Sequence, residues 1–130
     1  MKKITALNAP TPGGHYSQAI VHNGLIYVSG QLPTQPQTGE KILDSIEVQT
    51  GQVIKNLKAI LEAAGSSLSQ VIKTTIYIAD IHLWDRVNHV YASYFGEHRP
   101  ARVIVPTGPL HHGFLIEMEA IATTENSEDN

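Results

Sequence analysis

The 130-residue chain contains no cysteine, which excludes a disulfide framework and any thiolate nucleophile or thiolate metal ligand. Aromatic residues make up only 6%, so a core has to come mostly from aliphatic side chains. No stretch reaches the roughly 18 apolar residues of a membrane-spanning helix, and "MKKITALNAPTPGG" at the start lacks the apolar region of a signal peptide. A surplus of positive charge is missing too, with 9 Lys and Arg against 12 Asp and Glu. Three of those acids, Glu125, Glu128 and Asp129, fall in the terminal "ENSEDN", which leaves nine charges of each sign over residues 1–124. Such a balance lacks the basic footprint of a nucleic-acid partner, and no membrane partner is expected either. The expectation is one soluble, cytoplasmic domain over residues 3–124, followed by a disordered acidic tail at 125–130.

Recognised cofactor and metal spacings are also absent: there is no GxSxG, P-loop or GxGxxG. Of the seven histidines, His82 and His89 lie two helical turns apart, and His111-His112 is an adjacent pair with no spaced partner. Neither arrangement has metal-ligand spacing, so no metal and no cofactor are expected.

What the chain does have is a clear succession of periodic segments. Gln18–Val21 and Leu25–Ser29 flank Asn23-Gly24, a hairpin turn signal because both central residues of a type I′ turn need positive φ. Residues 45–64 place Val53, Leu57, Ile60, Leu61 and Ala64 on one helical stripe, and Gly65 ends it. Val71–Ala79 is a β-branched strand; Asp80 is placed to cap a second helix that runs to Phe95 and Gly96. Ala101–Val105 and Leu115–Ala122 complete a ββαβαββ order. The fold class is α+β, a single mixed sheet of five or six strands with two helices on one face. Several strands carry apolar side chains on both faces, and two helices can cover only one, so the other face calls for a second copy of the chain.

Two features point to chemistry. In "PARVIVP" the guanidinium of Arg102 stands next to Val103, Ile104 and Val105: either a solvated strand end, or a planar fork held for an anion. In the last strand, alternation puts Glu117 and Glu119 on the same face as Leu115 and Ile121. These are either rim acids in water or a carboxylate at a partly dry boundary, where desolvation and a nearby cation tune acid–base behaviour. Tyr16, after "PGGH", is either a packed aromatic or a phenolic donor.

Taken together, "APTPGGHYSQAI", "YVSGQLPTQPQTGE", "QTGQVIKNLKAILEAAGSSLSQVIKTTIYIAD", "VNHVYASYF", "RPARVIV" and "IEMEAIA" resemble the Rid/YjgF family of reactive-intermediate deaminases over nearly all of residues 8–122. The resemblance implies a chorismate-mutase-like fold assembled as a homotrimer with sites between subunits. It implies hydrolysis of 2-imino acids (2-iminobutanoate and 2-iminopropanoate) to 2-oxo acids and ammonia. By position, Arg102 would bind the substrate carboxylate and Glu117 would activate water. Tyr16 and Gly30 would line the pocket, and the backbone at Ile104 would meet the amine or the water. Some relatives are non-catalytic binders or are credited with ribonuclease or translation-inhibitor activity, which the neutral charge balance disfavours. The chain departs from the family pattern at His15, where a proline is usual, at Ile104, where many members have cysteine, and through "PTGPLHHGFLIE". That segment is expected to put His111, His112 and Phe114 at the mouth of the cleft.

Overall fold

The computed structural model describes residues 1–124; the tail at 125–130, expected to be disordered, lies outside the described residues. Six strands form one mixed sheet: β1 (Lys2–Ile4), β2 (Ala19–His22), β3 (Leu25–Gln31), β4 (Val71–Ile78), β5 (Ala101–Pro106) and β6 (Ile116–Thr123). The helices are α1 (Ile46–Ala63) and α2 (Trp84–Phe95). The spatial order is β1-β2-β3-β6-β4-β5, antiparallel throughout except for the parallel pair β4–β5. The hairpin at Asn23-Gly24 forms as its sequence dictates, with φ of 52° and 77°. Strand β1 is an addition to the expected elements. Three residues are too short for alternation to be read, and the strand is defined only by its pairing with β2.

Helix α1 starts at Ser45, whose hydroxyl accepts the Val48 N–H at 3.3 Å, and stops before Gly65 at φ +78°. Its Val53, Leu57, Ile60 and Leu61 are fully buried against Ile26, Val28, Met118 and Ile76 of the sheet. Asp80 caps a single 3₁₀ turn, Ile81–Leu83, through the His82 N–H at 2.9 Å, and α2 follows directly. Among the described residues no helix is long and apolar enough to cross a membrane.

Both helices lie on one face of the sheet. The other is open in the single chain and mixed in character: Tyr27 and Val103 are 45% and 44% exposed, and Thr75, Ile121 and Val105 are half-buried. Buried polar side chains tie loops to this frame. Asn56, inside α1, donates from Nδ2 to the carbonyls of Leu32 (3.2 Å) and Thr34 (3.0 Å) and accepts from Gln52 at 2.9 Å. Gln49 accepts the Leu115 N–H at 2.9 Å and donates to the Asp44 carbonyl.

Because two loop carbonyls depend on one fully buried amide, Asn56→Ala should lower unfolding free energy by about 2 kcal/mol. Urea denaturation measures this; a loss under about 0.5 kcal/mol, the size of an ordinary surface change, would mean that the loop is held by other contacts.

Candidate active site

Glu117 owes its position to a strand irregularity. Between β3 and β6 the register slips: Val28 faces Ala120, but Gln31 faces Met118, so Ser29-Gly30 carries one extra residue as a bulge. The Glu117 side chain lies against that bulge. A methyl group at Gly30 would overlap Glu117 Oε2 and come within 3.1 Å of its Cδ, so the absence of a side chain there makes room for the carboxylate. Glu117 is half-buried and makes no hydrogen bond among the described residues. Burial, reinforced by the charge of Glu119, pushes its pKa above the ordinary carboxylate value, and His111 pulls partly the other way. Glu119, two residues on, is exposed and accepts the Tyr77 hydroxyl at 2.7 Å; that bond, more than anything else, pushes the Tyr77 hydroxyl up. Identical in type and on one face, the two acids have opposite settings. Glu117 is partly dry and unpaired, and Glu119 is wet and engaged.

A hollow of about 290 Å³ encloses Glu117 together with Tyr16, Ser29, Gly30, Leu32 and His111. Tyr16 is half exposed, and its hydroxyl accepts the Gly13 N–H at 3.3 Å. The segment before it is stitched down by buried Gln18, which accepts from Ala6 N–H at 2.6 Å and donates to the carbonyls of Ala6 and Pro10. His111 stacks on His112 with ring centroids 3.6 Å apart, and His112 meets Phe114 edge-on at 6.0 Å. Phe114 does not stand at the cleft mouth as expected. It is 1% exposed and anchors the loop beneath the imidazoles, because the turn at His112-Gly113 directs it inward.

Arg102 lies elsewhere. The paired rows Arg102–Thr74–Ala120 and Val105–Tyr77–Glu117 fall on opposite faces of the sheet. Its guanidinium sits 4.8 Å from the Tyr91 ring centroid and 5.4 Å from that of Trp84, both on α2, and donates to Asn88 Oδ1 at 2.9 Å. Among the described residues no carboxylate pairs with it. Arg102 is therefore neither a freely solvated strand end nor a neutralised charge, but an oriented cation. Ile104 shares its face and packs against the core. One chain thus unites Tyr16, Gly30 and Glu117 and keeps Arg102 and Ile104 apart from them. Sequence reasoning missed Ser29, Leu32 and two of the three supports of Arg102, Asn88 and Trp84. For those two the available signal was helical spacing, since positions 84, 88 and 91 share one face of α2.

A mixed six-stranded sheet with two helices on one face, and an acid-bearing hollow on the other, places the chain among chorismate-mutase-like proteins. Residues 6–124 match the family model described as Endoribonuclease L-PSP. The chain is 52% identical over 118 residues to a RutC family protein of Pyrococcus horikoshii, a match covering 91% of this chain and 94% of that one. It is 40% identical over 121 residues to the 2-iminobutanoate/2-iminopropanoate deaminase of Rattus norvegicus, covering 93% and 88%. The crystal structure of E. coli TdcF with bound serine has a TM-score of 0.91 to it at 36% identity, over 96% of this chain and all of that one. The chain belongs to the Rid/YjgF family, as its motifs led us to expect.

The setting of Glu117 has a consequence for stability. The folded protein holds this proton more tightly than the unfolded chain does, so ionising Glu117 costs folding free energy. The cost is absent below about pH 4, grows as pH rises, and is complete above the folded pKa. Glu117→Gln should therefore melt above wild type at neutral pH and level with it near pH 4. Melting scans at both pH values check this; an equal difference at each would contradict it.

Proposed function

We propose that the protein is a hydrolytic deaminase of 2-imino acids of the 2-iminobutanoate/2-iminopropanoate type, working in the cytoplasm as a homotrimer with its sites between subunits. The observation that carries the reading is Glu117, a half-buried, unpaired carboxylate of raised pKa lodged against a glycine in a hollow. Such a group is a stronger proton acceptor than an ordinary carboxylate and can take a proton from water and return it. Support for assembly comes from the separation of Arg102 and Glu117 on opposite faces and from exposed Tyr27 and Val103 on the open face. A small ligand can meet both only if a neighbouring subunit supplies one of them.

In this scheme the neighbour's Arg102 grips the substrate carboxylate through its fork, already aimed by Asn88 and by the rings of Tyr91 and Trp84. Glu117 accepts a proton from water as the water oxygen bonds to the imine carbon, and gives a proton to the nitrogen. The carbinolamine then collapses: Glu117 takes the hydroxyl proton and passes it to the amine, the C–N bond breaks, C=O forms, and ammonia leaves with the 2-oxo acid. Tyr16, Gly30 and the backbone at Ile104 shape the two sides of the site. Kinship to the rat deaminase, and to TdcF crystallised with serine, favours a small amino- or imino-acid ligand. Cleavage of RNA, which the family model's description suggests, has little electrostatic footing, with 9 basic residues against 12 acidic.

The test is imine hydrolysis, with imines freshly made by an amino-acid oxidase, beside calorimetry with the 2-oxo acid product. Arg102 meets the carboxylate in ground and transition states alike, so Arg102→Ala should mainly weaken binding. It should lower kcat/KM about 30- to 1000-fold, with only partial rescue by Arg102→Lys. Glu117→Gln should lower kcat by about 10²–10⁴ and leave product affinity nearly unchanged. Full activity in Glu117→Gln with loss in Glu119→Gln would move the role to the other acid. Tight product binding without any turnover in wild type would instead make the protein a binder.

A further inference from the structure

The hollow around Glu117 does not stand alone. Beside it lies a second, larger hollow of about 410 Å³, and the two share Tyr16, Gly30, Leu32 and His111 as lining. Space of this size accommodates ligands far larger than a four-carbon imine. This second hollow is lined by Lys41 and His112 among others and by no Asp or Glu, and Lys41 makes no ion pair among the described residues.

The backbone that carries each of these two residues is held in place. Lys41 pairs with Thr34 across an isolated β-bridge, and the Thr34 carbonyl accepts from buried Asn56 at 3.0 Å. On either side, Gln35 N–H donates to Glu40 O at 2.8 Å and Ile42 N–H to Pro33 O at 2.9 Å. His112 sits in the left-handed region at φ +59°, unusual for a residue with a side chain, fixed between the stacked His111 ring and the edge of buried Phe114. Backbone strain of this kind persists where the surroundings over-determine it, often at ligand sites. Burial, His111 and Lys41 pull the His112 pKa below the ordinary imidazole value.

We propose that Lys41 and His112 form a subsite for a second carboxylate, and that the favoured substrates are 2-imino dicarboxylates, the imines of acidic amino acids. The proposal rests on the deaminase reading above. It places the substrate's first carboxylate at the neighbouring Arg102, its imine carbon at Glu117 and its side-chain carboxylate toward Lys41. The reaction that supplies such a substrate is two-electron oxidation of an amino acid with an acidic side chain.

Imines generated in the assay by oxidases from alanine, phenylalanine, aspartate and glutamate test this on the full-length protein. Wild type should show higher kcat/KM for the dicarboxylic imines than for 2-iminopropanoate. Lys41→Met should cut that ratio about tenfold, Lys41→Glu further, and added salt should erode it. A ratio that Lys41→Met leaves unchanged, or a preference for the aromatic imine that survives it, would overturn the subsite. Failure of the deaminase reading looks different: no imine is accelerated, and Glu117→Gln equals wild type. The subsite would then still be judged by calorimetry of 2-oxoglutarate against 2-oxobutanoate on wild type and Lys41→Met. Tighter 2-oxoglutarate binding that Lys41→Met abolishes supports it, and equal affinities overturn it.

Discussion

A β-strand sends successive side chains to opposite faces of its sheet, and in this protein that geometry governs where chemistry can occur. Arg102 on β5 falls in the row of Thr74 and Ala120, beneath α2, whereas Glu117 on β6 falls in the row of Tyr77 and Val105, on the open face. Neither can be turned over without slipping its strand by one residue, which would expel Ile104 in one case and Met118 in the other from the core along with it. The separation of the oriented cation from the partly dry acid is therefore as secure as the fold. The face left open by two helices keeps Tyr27 and Val103 partly in water, and under the proposed function it is where another subunit completes the site.

The frame that holds the acid half is polar as well as apolar. Asn56 and Gln49 sit within α1 at 0% and 1% exposure, yet their amides bond to loops, to the carbonyls of Leu32 and Thr34 in one case and to the Leu115 N–H in the other. Gln18 does the same for the segment leading to Tyr16. A buried amide is costly unless every group is partnered, and here the partners are the loop carbonyls and N–H groups that form the walls of the cleft. Packing of α1 on the sheet thus sets the shape of the hollow around Glu117. Glu117, Arg102 and Lys41 make no ion pair among the described residues, and each lines a hollow.

Much of this was legible in the residues. The stripe of α1, the Asn-Gly hairpin and the β-branched run of β4 predict their elements because each is decided by local periodicity or by backbone freedom. The resemblance of "YSQA", "PAR" and "IEMEAIA" to Rid/YjgF motifs brought Tyr16, Arg102 and Glu117 forward, and the structure shows which of these one chain unites. Strand β1 was hidden because three residues carry no period, and it exists through its pairing with β2. Phe114 was misplaced because sequence does not reveal that His112 adopts positive φ and turns the next side chain into the core. The difference between Glu117 and Glu119 was equally invisible, since it arises from the bulge opposite one acid and the Tyr77 hydroxyl beside the other. Such information belongs to strand pairing, which no single segment contains.

The central claim is that a working site draws Glu117 and Arg102 from different subunits. Subunit mixing tests it most directly. Arg102→Ala and Glu117→Gln, each nearly inactive alone, are unfolded together in equal amounts and refolded. In a cyclic trimer with head-to-tail contacts, every mixed ring contains one interface with both residues intact, so about a quarter of wild-type imine hydrolysis should return. Activity that stays at the level of the separate variants, although mixed rings have formed, would place both residues in sites made by one chain and contradict the account.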